Sequence, residues 1–74
     1  MSFKYPLLPP KDIIKAMKKL GFEKGSQKGS HAKYVNYNTG KIFIIPMHYE
    51  VARGTLKSIL EQSEIELEEF LKKL

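Results

Sequence analysis

The chain contains no cysteine. That absence removes disulfides and thiolate zinc sites, and it fits a reducing compartment. No apolar run approaches the ~20 residues that a membrane span requires. The opening Met1-Ser2-Phe3-Lys4-Tyr5-Pro6-Leu7-Leu8 lacks the long apolar core of a secretory signal. The expectation is a cytoplasmic protein with no membrane partner. Acidic residues are also scarce in one half of the chain. Residues 1–41 hold nine lysines against Asp12 and Glu23, a balance of +7. Residues 42–74 hold Arg53, Lys57, Lys72 and Lys73 against six glutamates, a balance of −2, which leaves the net +5. A basic half facing a polyanion is the electrostatic footprint of nucleic-acid binding, and equally of a plain lysine-rich solvated surface.

Other absences narrow the chemistry. No Walker-type or dinucleotide-binding glycine pattern occurs. Two histidines without a nearby carboxylate pair make a poor zinc site. No cofactor is expected. At 74 residues the chain has room for one core, expected over residues 10–74 behind a short tail, 1–9. Pro6, Pro9 and Pro10 keep that tail extended, as a spacer, with loose packing through Phe3, Tyr5, Leu7 and Leu8 or fraying as the alternatives.

A helix is predicted from Pro10 to Leu20. Proline suits a first helical turn, and Asp12 there complements the macrodipole. Ile13, Ile14, Met17 and Leu20 recur on one face, while Lys11, Lys15, Lys18 and Lys19 fall largely on the other, which is either a plain solvated face or, with the lysines around His31, a phosphate-contact face. Gly21 stands where a left-handed cap is wanted. Phe22–Lys28 reads as a weak strand with Gly25 as a bend or bulge. His31–Tyr37 is a second strand, rich in aromatic and β-branched residues. Asn38-Thr39-Gly40 is a hairpin turn, and Lys41–Ile45 a third strand ended by Pro46.

Met47–Ala52 is a loop that includes His48. A helix follows from about Gly54-Thr55 to Gln62-Ser63, with Leu56, Ile59 and Leu60 inward. A last helix starts near Glu66, its stripe being Leu67, Phe70, Leu71 and Leu74. Ile65 and Phe70 then form a hydrophobic staple, and Ser63 with Glu66 offers a competing capping box. The predicted fold is α+β, of order α-β-β-β-α-α. A three-stranded antiparallel sheet carries its helices on one face. This order resembles the double-stranded-RNA-binding-domain fold.

The stretch Gly25–Val35 holds the most suggestive chemistry. RNA carries its own nucleophile, the 2′-hydroxyl. An enzyme using it needs a base near that hydroxyl and cations or amides around the phosphate. An imidazole suits the base because its ordinary pKa, ~6.5, lies near working pH. Gly29 lets the backbone approach closely, so the Ser30 and His31 amides are candidate phosphate donors. Lys28 and Lys33 are candidates to neutralise charge. Read from chemistry alone, His31 is also simply a half-exposed strand residue. His48 enters through hairpin geometry. A two-residue turn would place it opposite His31, and a three-residue loop would place Met47 there. It is a candidate for positioning RNA or protonating the leaving group, and equally an ordinary loop residue. Tyr34, Tyr37 and Phe43 are candidate base-stacking rings, although strand aromatics are more often core.

Three segments carry a closer resemblance. They are Lys11-Asp12-Ile13-Ile14-Lys15-Ala16 through Leu20-Gly21-Phe22, then Gln27-Lys28-Gly29-Ser30-His31-Ala32-Lys33-Tyr34. The last is Ile45-Pro46-Met47-His48 with Gly54-Thr55-Leu56-Lys57-Ser58-Ile59-Leu60 and Glu68-Glu69-Phe70-Leu71. In this order and spacing the chain resembles the HicA family, the small toxins of HicAB-type toxin–antitoxin systems, also called YcfA-like mRNA interferases. The resemblance implies a double-stranded-RNA-binding-like fold, endoribonuclease action on mRNA, a catalytic histidine at His31, and inhibition by a HicB-type antitoxin. Many members read Gly-Ser-His-His, whereas Ala32 stands at the second position here. Two other readings share the basic composition. One is a non-catalytic RNA-binding module that grips structured RNA by shape. The other is a pure protein-interaction domain.

Overall fold

The computed structural model describes residues 5–47 and 50–74. The elements are α1 (Pro10–Lys19), β1 (Glu23–Lys28), β2 (His31–Val35), β3 (Ile42–Pro46), α2 (Arg53–Ser63) and α3 (Leu67–Leu71). The strands form one antiparallel sheet in the order β1-β2-β3. This is the α+β class and the element order that the sequence predicts.

α1 ends where its hydrogen bonds dictate. The Gly21 amide donates to Lys18 O at 3.1 Å and the Phe22 amide to Met17 O at 3.0 Å. That is the Schellman pattern, and it needs a left-handed residue at Gly21, whose φ is +102°. A side chain at position 21 would also meet the Asn36 amide at 3.0 Å. α2 closes with the same pattern, Glu64 to Glu61 O and Ile65 to Leu60 O. Here Glu64 takes the left-handed conformation. α3 starts after Glu66, which puts Ile65 at N′ and Phe70 at N4; Phe70 is buried and Ile65 packs against the core. The competing capping box does not form. Ser63 is the buried last residue of α2, and its hydroxyl donates back to Ile59 O.

Alternation sets the layers. On β2 and β3, Ala32, Tyr34, Phe43 and Ile45 are buried while His31, Lys33, Ile42 and Ile44 are exposed. The inner residues join Ile13, Ile14, Ala16 and Met17 of α1, Leu56, Ile59 and Leu60 of α2, and Leu67 and Phe70 of α3 in one core. The helices therefore cover one sheet face and leave the other open. Tyr34 and Phe43, direct cross-strand partners, stack at 5.3 Å between ring centroids, and Phe22 tilts onto Phe43 at 5.2 Å. Two of the three candidate stacking rings are thus core. Tyr37 alone is exposed.

Residues 5–9 are not a bare spacer. The Val51 amide donates to Leu8 O at 2.8 Å, and Arg53 Nε donates to Tyr5 O at 2.8 Å. Tyr5 and Leu8 pack on the core.

Burial pushes the Tyr34 phenol above its ordinary range. The unfolded chain ionises this group near pH 10 while the folded chain keeps it neutral. Its stability contribution is therefore complete below about pH 10 and is lost as pH climbs through the folded value. Tyr34→Phe keeps the ring and removes the proton. Between about pH 8 and about pH 11 its urea midpoint is expected to fall less than that of wild type. Equal falls in the two proteins contradict this.

Candidate active site

β1 and β2 are joined by Gly29 and Ser30, with Lys28 and His31 as the closing pair. Gly29 has φ +60°, and Ser30 is not among the positive-φ residues. A left-handed residue at the first loop position only is the type II′ signature, which favours glycine there. The turn is held from both sides. The Gln27 side-chain amide donates to Gly29 O at 3.1 Å, and Lys24 Nζ holds Gln27 Oε1 at 2.7 Å. The Met47 amide donates to Ser30 O at 2.6 Å. His31 therefore begins β2 on a braced turn.

The pairing lays out the open face in rows. Lys28, His31 and Pro46 make the first. Ser26, Lys33 and Ile44 make the second, and Glu23, Val35 and Ile42 the third. Side chains of paired residues share a face. Lys28 and Lys33 thus lie on the same face as His31, beside it and one row on, and all three are exposed. Gly25 is the bulge that the sequence predicts. The register slips between Lys24 and Ser26, which carries Ser26 and Lys28 onto the open face.

Neither predicted register for the second hairpin holds. His31 faces Pro46, so neither Met47 nor His48 stands opposite it. The loop spans residues 37–40. Asn36 pairs with Lys41, the Asn36 amide donating to Lys41 O at 2.9 Å. The Asn36 side-chain oxygen accepts from the amides of Asn38 and Thr39 at 2.9 and 3.2 Å. This asparagine keeps its backbone bond to Lys41 and turns its side chain onto its own loop, a preference of its short amide. β2 accordingly stops at Val35 rather than Tyr37. His48 lies outside the described residues.

Ala32 sits in the core at 0% exposure. Position 32 points into the helix-covered side, away from His31 and its lysines. A second imidazole at position 32, as the resemblance would imply, would in this fold lie on the other side of the sheet. Its replacement removes nothing from the open face.

One feature of this face was not drawn from the sequence. Ile42 and Ile44 are 38% and 43% exposed and form an apolar strip with Val35 and Pro46 that reaches His31 at its Pro46 end. The signal was present in Ile42-Phe43-Ile44-Ile45. Four consecutive apolar residues on a sheet covered on one side must leave two facing out.

A family model described as the HicA toxin of bacterial toxin–antitoxin systems matches residues 10–65. The chain belongs to this HicA toxin family. It is a toxin of a toxin–antitoxin system, and the family implies an antitoxin partner. No curated protein matches the chain. Among the described residues no helix is long and apolar enough to cross a membrane.

Proposed function

We propose that the chain is an endoribonuclease that cleaves mRNA without a metal, with His31 as general base and with a HicB-type antitoxin as its inhibitor. The observation that carries this reading is the placement of an exposed imidazole on a braced turn, flanked by Lys28 and Lys33 on an open sheet face.

The step follows from the chemistry of RNA. His31 takes the proton of a 2′-hydroxyl, and that oxygen attacks the adjacent phosphorus. The bond to the 5′-oxygen breaks, and that oxygen leaves with a proton. The products are a 2′,3′-cyclic phosphate and a 5′-hydroxyl. Lys28 and Lys33 offset the charge that builds on the non-bridging oxygens. Gly29 has nothing within 4 Å of where a side chain would stand, so a phosphate can approach the Gly29-Ser30 backbone. His48, two residues beyond Pro46, is proposed to orient the strand or supply the leaving-group proton.

The apolar strip favours masking by a protein. Pro46 pairs with His31, and Ile44, Ile42 and Val35 continue from it along the next rows, so an antitoxin seated on the whole strip would reach over the imidazole. A standard interface takes ~800 Å² per partner, a large share of the 4981 Å² that this chain exposes.

Purified protein is expected to cut single-stranded RNA in excess EDTA and to leave 2′,3′-cyclic phosphate ends. Cleavage that stops with chelation, or products with 5′-phosphate ends, would contradict the proposal. RNA binding without cleavage would favour the non-catalytic module.

A further inference from the structure

We propose that the outward face of α1, together with the lysines at the chain's C-terminus, is a second RNA-backbone surface, on the layer opposite His31. The proposal rests on RNA being the ligand of this protein and adds where else the strand is held.

Lys11, Lys15, Lys18 and Lys19 are all exposed, while Ile13, Ile14, Ala16 and Met17 on the other side of α1 are buried. Lys11, Lys15 and Lys18 follow an i, i+4, i+7 spacing and form one stripe, with neighbours ~5–6 Å apart at Cβ. Asp12 is the helix's only acid and sits half-buried at its flank. Lys19 Nζ donates to Lys73 O at 3.1 Å, which ties the end of α1 to the C-terminal turn. Exposed Lys72 and Lys73 are thereby drawn towards the same surface. A hollow of about 280 Å³ lies between these parts, lined by Leu8, Asp12, Lys15, Lys73 and Leu74. Its apolar walls suit a base or ribose, and the Asp12 carboxylate offsets one of its two ammonium groups, so the phosphate contacts fall to the lysine stripe around it.

These six lysines form no ion pair with any described residue; the Lys41–Glu64 pair lies elsewhere. The acids are gathered around a different hollow, where Glu61, Glu64, Glu66 and Glu68 stand over Leu60 and Ile65. Charge is thus sorted by region, and Asp12 apart, the α1 cations are not neutralised internally. The face also suits RNA better than a lipid surface. A membrane-bound helix needs an exposed apolar stripe, and the stripe of α1 is used in the core. Because this surface lies on the helical layer, it stays open when the sheet face is covered. Long RNA can bridge both layers and gain from the effective concentration of the second contact.

The test compares two charge-matched variants, each three charges below the net +5. One is Lys11→Gln, Lys15→Gln, Lys18→Gln; the other is Lys41→Gln, Arg53→Gln, Lys57→Gln, none of which touches the Gly29-Ser30 turn. Glutamine and lysine have similar helix propensity, so α1 is retained, and circular dichroism checks it. Binding to a long single-stranded RNA is measured against salt with His31→Ala added to the wild type and to both variants, so that the RNA stays whole. The α1 variant is expected to lose about tenfold or more in affinity at low salt, and its log–log salt slope to fall by roughly 2, for three lost phosphate contacts. The control is expected to lose under about threefold. Equal losses in the two variants overturn the proposal, as does a wild type that binds no RNA. Loss of binding to phosphatidylserine vesicles with RNA affinity intact also overturns it, and assigns the face to membranes. The assay reads binding, so it is independent of cleavage. A nuclease whose two variants bind alike refutes this surface alone, and an RNA binder that never cuts refutes the role of His31 alone.

Discussion

His31→Ala is expected to reduce RNA cleavage by about 10²–10⁴-fold, the range of general acid–base help. RNA affinity should change by less than about threefold, because phosphate contacts carry most of it. Stability should change by no more than about 0.5 kcal/mol, since the side chain is exposed and the core lies on the other face of the strand. The combination separates chemistry from folding. A variant that cuts at the wild-type rate removes His31 from the reaction. One that neither cuts nor binds shows instead that the imidazole holds the RNA.

Phe43→Ala is expected to have the largest effect on stability. Phe43 is fully buried, stacked on Tyr34 and touched by Phe22. Truncating a core phenylalanine costs about 3–5 kcal/mol. A chain of 74 residues has a total stability of roughly 4–11 kcal/mol. A fall in Tm of at least about 12 °C is expected, and outright unfolding at the lower end of that stability. Ile44→Ala changes the next residue of the same strand, but that side chain points to the open face at 43% exposure. It should cost under about 1 kcal/mol. Thermal melts of the two variants side by side test the assignment of faces. Similar losses in both would mean that β3 is not covered on one side only.

These two residues also show what the sequence made legible. Strict alternation along Ala32, Tyr34 and along Phe43, Ile45 marks the buried face of β2 and β3, so the layer to which His31 belongs follows from parity. The helices were equally legible, because Ile13, Met17, Leu56, Leu60 and Phe70 keep helical spacing and Gly21 marks an end. β1 was the weak strand. Glu-Lys-Gly-Ser-Gln-Lys is exposed at all its positions, so only its pairing with β2 and the Gly25 bulge give it form. The hairpin register was not legible. It depends on the Asn36 side-chain oxygen accepting from the amides of residues 38 and 39, which fixes a loop of residues 37–40 and shifts every pair between β2 and β3. A residue that can serve either strand or turn gives no periodic signal. Of the candidate residues, Lys28, Gly29, Ser30, His31 and Lys33 lie together at one turn and one strand. The lysines of α1 lie on the opposite layer, a separation that helical spacing alone does not reveal.

The account rests on the RNA supplying its own nucleophile to the imidazole of His31. The most direct measurement places a single 2′-deoxynucleotide at a mapped cleavage site of an otherwise unmodified RNA. Wild-type protein with EDTA present is then assayed. Cleavage at that position is expected to vanish while neighbouring sites are still cut and affinity for the RNA is unchanged. Continued cutting at the deoxynucleotide would mean that water or another nucleophile attacks the phosphate, and that His31 is not the base for a 2′-hydroxyl.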